Sequence, residues 1–182
     1  MRWRRVCAAL ACAAGALGCV AAPQAAPQAA RVEVAFAPGD DIPALIVQRI
    51  ARARHSVQMQ AYLFTDRRIA NALVAARSRG VEVEVIGDAA QHEAGGLPFL
   101  AALDRAGARV YLNGAQSASH NKIVIVDGGA SAAAVITGSY NFTRAAHLRN
   151  AENVVVISGN RALARRFVGN FEYHRGQSIP WR

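Results

Sequence analysis

The stretch from His120 to Asn141 constrains the fold most strongly. It contains two apolar runs, 123–126 and 133–137, on either side of a segment rich in glycine and alanine. Two such runs around a turn predict a β-hairpin. Because side chains alternate along a strand, His120 and Lys122 are predicted to lie on the same face. The returning strand should then bring Ser139 and Asn141 back beside them.

This predicted set of side chains suits a phosphate ester. Lys122 is the only lysine in a chain with 21 lysine and arginine residues, so a compact ammonium group is indicated here rather than a planar guanidinium. A neutral imidazole can attack phosphorus and form a covalent phosphohistidine, and a second imidazole could protonate the leaving oxygen. Taken singly, His120 also fits an ordinary histidine at the end of a strand.

The spacing H-x-K-x4-D followed by G-S-x-N resembles the signature of the phospholipase D superfamily. The residues that form it are His120, Lys122, Asp127, Gly138, Ser139 and Asn141. The run 138–143, followed by Asn-Ala-Glu-Asn at 150–153, is most similar to the small bacterial Nuc-type endonucleases of that superfamily. The resemblance covers the chain from about Val32 to Phe171. The gap between Asp127 and Gly138 is longer than is usual in the family, which indicates a longer hairpin loop.

The resemblance implies a phospholipase D-like α/β/α sandwich and a set of catalytic residues. These are His120, Lys122, Asp127, Ser139, Asn141 and Glu152. Lys122, Ser139 and Asn141 would bind the phosphate, and Glu152 would bond the far nitrogen of a His120. Asp127 is expected to anchor the hairpin. No metal and no other cofactor is expected.

The chain carries one copy of the motif and no internal repeat, so a second His120 must come from a second chain. We therefore expect a homodimer in which two His120 side chains face one phosphate. One imidazole would attack the phosphorus, and the other would act as acid and then as base.

Predicted strands and helices alternate along the chain. The strands are 32–36, 56–64, 81–86, 109–112 and 154–157, and the helices are 43–53, 66–79, 97–106, a short one near 142–148, and a last one that Asn160 caps. This order predicts an α/β fold, with a mixed β-sheet flanked by helices on both faces.

The first 22 residues have the pattern of a signal peptide, since Arg2, Arg4 and Arg5 precede an apolar run that ends in small residues. Residues 23–30 are predicted to be a linker of Pro, Ala and Gln, and residues 31–182 are predicted to be a single phospholipase D-like catalytic domain. All three cysteines lie in the leader; a lipoprotein anchor at Cys19 is less favoured because Ala16 stands where leucine is usual. These features predict a periplasmic or secreted protein with no stable membrane span after cleavage.

The formal net charge of +9 falls to +6 without the leader arginines, which favours a polyanionic partner. Arginines near the motif could hold neighbouring phosphates without reading bases, namely Arg67, Arg68, Arg144 and Arg149. The prediction is a metal-independent, non-specific endonuclease for DNA or RNA. Hydrolysis of phospholipids and a non-catalytic polyanion-binding module are the alternatives. A metal site formed by Asp88, His92 and Glu93 fits no strong ligand spacing.

Overall fold

The computed structural model describes residues 29–181. In chain order its elements are β1 (Arg31–Ala37), α1 (Ile42–Ala51), β2 (Ser56–Ala61), α2 (Arg67–Ser78), β3 (Glu82–Asp88), α3 (Ala89–Glu93), α4 (Leu100–Arg105), β4 (Arg109–Asn113), β5 (Lys122–Val126), β6 (Ala134–Gly138), α5 (Arg144–Arg149), β7 (Glu152–Ser158), α6 (Arg161–Gly176) and β8 (Ile179–Pro180). In this part of the chain eight strands form one mixed sheet, in the order β1-β7-β6-β5-β2-β3-β4-β8. The predicted signal peptide and most of the predicted linker lie outside the described residues.

The mixed α/β sheet that the alternation predicted is confirmed. β2, β3 and β4 run parallel, and the remaining pairs are antiparallel. The predicted hairpin is β5 and β6, with Ile123 opposite Thr137 and a loop over 127–133. Helices α1, α2 and α4 cover one face of the sheet, and α6 packs on the other face against β2, β4, β5 and β6.

Short polar side chains fix where the main helices begin. Asp41 accepts a hydrogen bond from the first turn of α1, and Asp66 does the same for α2. Asn160 caps α6 through the backbone N–H of Leu163, as the sequence predicted. These caps accept hydrogen bonds from backbone donors that a helix cannot satisfy internally.

The core has two layers. The larger one lies under α1, α2 and α4, and the smaller one lies under α6 and includes Ile86, Ile123, Ile125, Val135 and Phe171. β2 is covered on both faces. Its polar side chains are buried but paired, since Gln58 bonds Glu84 and Gln60 bonds Asn170.

On the sheet face that carries α6, the part formed by β1 and β7 remains open. Cross-strand partners share a face, and this places Val32 and Val34 of β1 beside Ile157 and Val155 of β7. Val32, Val34 and Phe36 are 59%, 54% and 57% exposed. We call these five side chains the open sheet face. The strand predicted at 154–157 is present within β7, but Val155 and Ile157 on this side are only half-buried.

Other differences from the predicted elements are small. α3 is a short helix that the sequence does not predict, because it lacks apolar periodicity, and Asp88 caps it. The helix predicted from Leu97 begins at Leu100. No helix in the described part of the chain is long and apolar enough to cross a bilayer.

Candidate active site

The predicted site lies where the ends of four neighbouring strands come together. We call this end of the sheet the site edge. β5 is antiparallel to both β2 and β6, and β6 is antiparallel to β7. The start of β5 therefore lies beside the ends of β2 and β6 and near the start of β7. This arrangement gathers His120, Lys122, Ser139 and Glu152 at the same edge.

His120 and Lys122 are in direct contact. The structure places His120 just before β5 rather than within it, yet Lys122 Nζ lies 2.9 Å from His120 Nδ1 and 2.8 Å from the His120 carbonyl oxygen. Lys122 is buried, with 7% of its surface exposed, whereas His120 is exposed. Burial lowers the pKa of Lys122, and the negative charge of Glu152 opposes this effect. A poorly hydrated ammonium group here is an effective partner for an anion.

Tyr62 was missed by the sequence analysis, and it contacts both of these residues. Its ring centroid lies 4.4 Å from that of His120, and Lys122 Nζ lies 4.9 Å from the Tyr62 ring centroid. The hydroxyl of Tyr62 accepts a hydrogen bond from Gln91 Nε2 at 3.0 Å. The only sequence signal was an aromatic residue at the end of an alternating strand, which does not reveal which strand lies beside it.

We expect Tyr62 to act as a positioning residue. Substitution Tyr62→Leu should lower kcat about 10-fold with little change in KM, because the ring that orients His120 and Lys122 is lost. Tyr62→Phe keeps the ring and should retain most of the activity. Steady-state kinetics of the two variants on a small phosphodiester checks this. Equal losses in both variants would show that the hydroxyl, and not the ring contact, matters.

Ser139 and Glu152 form a connected group with two asparagines. Ser139 Oγ donates to Glu152 Oε2 at 2.5 Å and accepts from the backbone N–H of Asn153 at 3.1 Å. Asn150 Nδ2 donates to Glu152 Oε1 at 2.9 Å. Within the described residues Glu152 therefore bonds Ser139 and Asn150, and its expected bond to a His120 is not formed inside one chain.

Asn141 has free hydrogen-bonding capacity. Its Oδ1 atom is buried and lacks a hydrogen-bond partner among the described residues. Turning the amide by 180° would place the Nδ2 donor at this position instead. The neighbouring Tyr140 is firmly held, since its hydroxyl donates to the Thr143 carbonyl oxygen and burial raises its pKa well above the ordinary value. The Asn141 amide is thus held by a rigid backbone with one buried polar atom unpaired.

Gly138 is required by close packing rather than by its backbone angles. A Cβ atom at this position would lie 2.2 Å from the carbonyl oxygen of Asn153 on β7. Backbone atoms of a paired strand cannot move away cheaply. The glycine of the G-S-x-N pattern therefore allows β6 and β7 to stay paired next to Ser139.

Asp127 lies at the opposite end of β5. The strand has five residues, so about 17 Å separates this position from the His120 end. The Asp127 carboxylate accepts hydrogen bonds from the backbone N–H groups of Arg54, His55 and Ser56, at 3.0, 2.7 and 2.9 Å. Its own φ is +50°, an angle that Asp tolerates better than most residues. These contacts give Asp127 an anchoring geometry, away from the other predicted site residues.

Asp88 fixes the backbone next to His120 through hydrogen bonds. Its buried carboxylate accepts from the backbone N–H of Ser119 at 2.7 Å and from that of Gln91 at 2.8 Å, and it thereby holds the residue before His120. His92 Nε2 accepts a hydrogen bond from Trp181 Nε1–H at 3.2 Å. Across residues 29–181 no group of three or more His, Cys, Asp or Glu side chains comes together, so Asp88, His92 and Glu93 do not form a joint site.

The chain is similar in sequence and in fold to several known proteins. The family model described as "Cardiolipin synthase, PLD-like domain" matches residues 46–175. The chain is 38% identical to phospholipase D of Rickettsia felis over 141 residues. This alignment covers 78% of this chain and 68% of that protein. The solved structure of Nuc from Salmonella typhimurium, a phospholipase D family member, matches with a TM-score of 0.77 and 32% identity, over 85% of this chain and 99% of that one. NucT from Helicobacter pylori matches in fold with a TM-score of 0.73 at 22% identity, over 84% of this chain and 100% of that one.

Proposed function

This chain belongs to the phospholipase D superfamily and is a phosphodiesterase, and we propose that it hydrolyses nucleic acid, DNA or RNA, without sequence preference. The observation that carries the proposal is the contact of 2.9 Å between Lys122 Nζ and His120 Nδ1 at an exposed sheet edge. An imidazole beside a buried ammonium group can attack a phosphate whose charge that ammonium neutralises.

Two observations support nucleic acid as the substrate. The first is the match to Nuc, because the sequence also resembles the Nuc-type endonucleases. The alignment covers 99% of the Nuc chain, so nearly all of that structure has a counterpart here. The chain without its predicted leader also keeps a formal charge of +6. A basic surface attracts a phosphate backbone without reading its sequence, and this attraction weakens as salt rises.

The first chemical step forms a phosphohistidine. Nε2 of one His120 attacks the phosphorus, an N–P bond forms, and the bond to the leaving oxygen breaks. The leaving oxygen takes a proton from the second His120. Lys122 turns its ammonium group towards a non-bridging oxygen, and Asn141 donates a further hydrogen bond to the same phosphate. Ser139 joins them when its hydroxyl turns from Glu152 to the phosphate.

The second step reverses these roles. The second His120 accepts a proton from water, the resulting oxygen attacks phosphorus, and the N–P bond breaks. The two imidazoles must therefore start in different proton forms. The acid is an imidazolium with a proton on each ring nitrogen, so its Nδ1 cannot accept from Lys122, and it becomes a neutral ring when its Nε2 proton passes to the leaving oxygen. A Glu152 carboxylate that accepts from Nδ1–H leaves Nε2 free, which suits the nucleophile.

The two histidines require a homodimer, and the open sheet face supports one. This face is continuous with the site edge, because Phe36 pairs with Asn153, whose N–H bonds Ser139. Three exposed apolar side chains at alternate positions of one strand form an apolar patch that is unusual for a free surface. A second copy of the chain is the occupant we propose, since the site lacks one imidazole without it.

A charge placed on the open sheet face should separate the dimer. The double variant Val34→Asp/Phe36→Asp should sediment as a monomer and lose more than about 100-fold in activity, because two carboxylates would be buried unpaired at the interface. Ile179→Asp is the matched control, since Ile179 is 67% exposed at the opposite edge of the sheet. Analytical ultracentrifugation with parallel assays checks both. A double variant that stays dimeric and active would contradict this interface.

Phospholipid hydrolysis is the rival function, and the name of the Rickettsia felis relative favours it. The deciding experiment compares nicking of supercoiled plasmid with headgroup release from phosphatidylcholine vesicles, both in excess chelator. We expect plasmid nicking, chelator resistance, and a steep loss of activity with salt. Headgroup release without nicking would establish the rival. DNA binding without turnover of either substrate would establish a binding module.

The proposed place of action is the periplasm or the exterior of the cell. It depends on the leader pattern in residues 1–22. N-terminal sequencing of the protein recovered from the medium or the periplasm tests it.

A further inference from the structure

A basic cavity lies next to the proposed site. Its volume is about 500 Å³, and it is lined by Thr65, Asp66, Arg67, Arg68, Phe99, Arg144, His147 and Leu148. We call it the arginine pocket. Its arginines come from the start of α2 and the start of α5, so the fold brings together cations that lie far apart in the sequence. A cavity of this size is large enough for a phosphate group and part of a nucleotide.

Two of the three arginines are available to a ligand. Arg68 pairs with Asp41 at 3.1 Å and with Asp66 at 3.5 Å. Arg67 and Arg144 are exposed, and neither forms an ion pair with any residue of the described part. The Arg67 guanidinium lies 5.7 Å from the Phe99 ring centroid, which holds this cation beside a flat apolar surface.

His147 adds a further unfilled position to the lining. Its Nδ1 atom is buried and has no hydrogen-bond partner among residues 29–181. Its Nε2 atom lies 3.9 Å from Asp41 Oδ1, beyond a normal hydrogen bond. The His147 side chain is only 21% exposed. The pocket therefore combines free cations with an unpaired ring nitrogen.

Backbone hydrogen bonds connect the arginine pocket to the site edge. The N–H groups of Thr65 and Asp66 both donate to the carbonyl oxygen of Phe142 at 2.9 Å, and Phe142 directly follows Asn141. Tyr62, which contacts His120, lies three residues before Thr65 and so at most about 11 Å from it. A strand with one phosphate between the histidines would reach the pocket within a few nucleotides.

We propose that the arginine pocket holds a second phosphate of the nucleic acid strand, a few nucleotides from the phosphate that is cleaved. This inference rests on the proposed function. Arg67 and Arg144 bind the phosphate oxygens, and Phe99 offers a face on which the adjoining base or sugar can pack. The pocket would make the enzyme prefer polymers over isolated phosphodiesters.

The test uses the full-length chain and two substrates of different length. One substrate is bis(4-nitrophenyl) phosphate, which has a single phosphodiester, and the other is a single-stranded DNA of about 20 nucleotides, long enough for the site and the pocket together. For Arg67→Gln/Arg144→Gln, KM for the DNA should rise about 10-fold, and the slope of log KM against log salt should fall by about one. Turnover of bis(4-nitrophenyl) phosphate should not change.

Arg52→Gln/Arg105→Gln is the matched control, because it removes the same charge elsewhere. Arg52 lies about 16 Å from Asp41 along α1, and Arg105 lies about 9 Å from Phe99 along α4. The control should leave KM for the DNA within about 2-fold of the wild type. A shift as large as that of the pocket variant would show a general effect of charge and would overturn the proposal.

Binding separates this inference from the chemistry. In a His120→Ala background, the pocket variant should bind the labelled DNA about 10-fold more weakly in fluorescence anisotropy, even if no substrate is ever turned over. Unchanged DNA affinity would overturn the pocket while leaving the proposed function standing. A loss confined to anionic lipid vesicles would overturn it in favour of a membrane contact. Absence of DNA turnover combined with unchanged binding would overturn both proposals.

Discussion

Replacement of His120 by alanine should lower turnover at least about 10⁴-fold while leaving the melting temperature unchanged. The substitution removes the proposed nucleophile and, through the second copy, the proposed acid, and each of these contributions is large. The side chain is exposed, so its loss should cost little folding free energy. Hydrolysis of bis(4-nitrophenyl) phosphate and a thermal melt measure the two effects. His55→Ala is the control, since only the backbone of His55 bonds Asp127.

Mixing wild-type and His120→Ala chains tests whether two copies share one site. When equal amounts are unfolded together and refolded, random pairing leaves about one quarter of the dimers with both histidines. We therefore expect about a quarter of the wild-type activity per total protein. Half of the wild-type activity would mean that each chain acts alone, and it would refute the shared site.

Replacement of Asp127 by alanine should produce the largest loss of stability. Its carboxylate accepts hydrogen bonds from three consecutive backbone N–H groups at 2.7 to 3.0 Å, in a buried position. Alanine would leave these donors unpaired and would retain a φ of +50° that alanine tolerates poorly. We expect a loss of about 3–5 kcal/mol in the free energy of unfolding, or about 10 °C in melting temperature. Chemical denaturation and calorimetry measure it.

The activity of this variant distinguishes an anchor from a catalytic group. Asp127→Asn keeps an oxygen acceptor and tolerates the same backbone angles, so its stability should lie between those of the wild type and the alanine variant. At a temperature where all three proteins are folded, kcat per folded molecule should agree within about 2-fold. A folded Asp127→Asn protein with a kcat reduced by 100-fold would show that Asp127 takes part in the chemistry.

The parts of the site that local rules govern could be predicted from the sequence. The period of two along a strand predicted the meeting of His120 and Lys122, although His120 lies just outside β5. The paired apolar runs predicted the return of Ser139. Asp127 shows the limit of reading a motif by its spacing alone. Five residues of extended chain place it at the far end of the strand, and its partners at 54–56 come from a segment about 70 positions earlier.

Contacts between distant segments could not be predicted. Tyr62 meets His120 because β2 is the neighbour of β5, and Asp88 meets Ser119 because β3 ends beside the same loop. The order of the strands depends on contacts between segments that are far apart in the chain. Short windows of sequence do not contain this information. The open sheet face is a further example. The run 154–157 is continuously apolar, which predicts that both sides of the strand are buried. The pattern does not tell whether the same chain or a second chain buries them.

The exposed apolar residues of β1 also have a consequence for handling the protein. β1 is an edge strand, so its outer backbone groups and the side chains of Val32, Val34 and Phe36 are presented together. Such a surface is a template for intermolecular strand pairing and amorphous precipitation. Preparations should therefore be least colloidally stable when highly diluted or freshly refolded, before the chains have found one another. Arginine or low concentrations of detergent in the refolding buffer should increase the soluble yield.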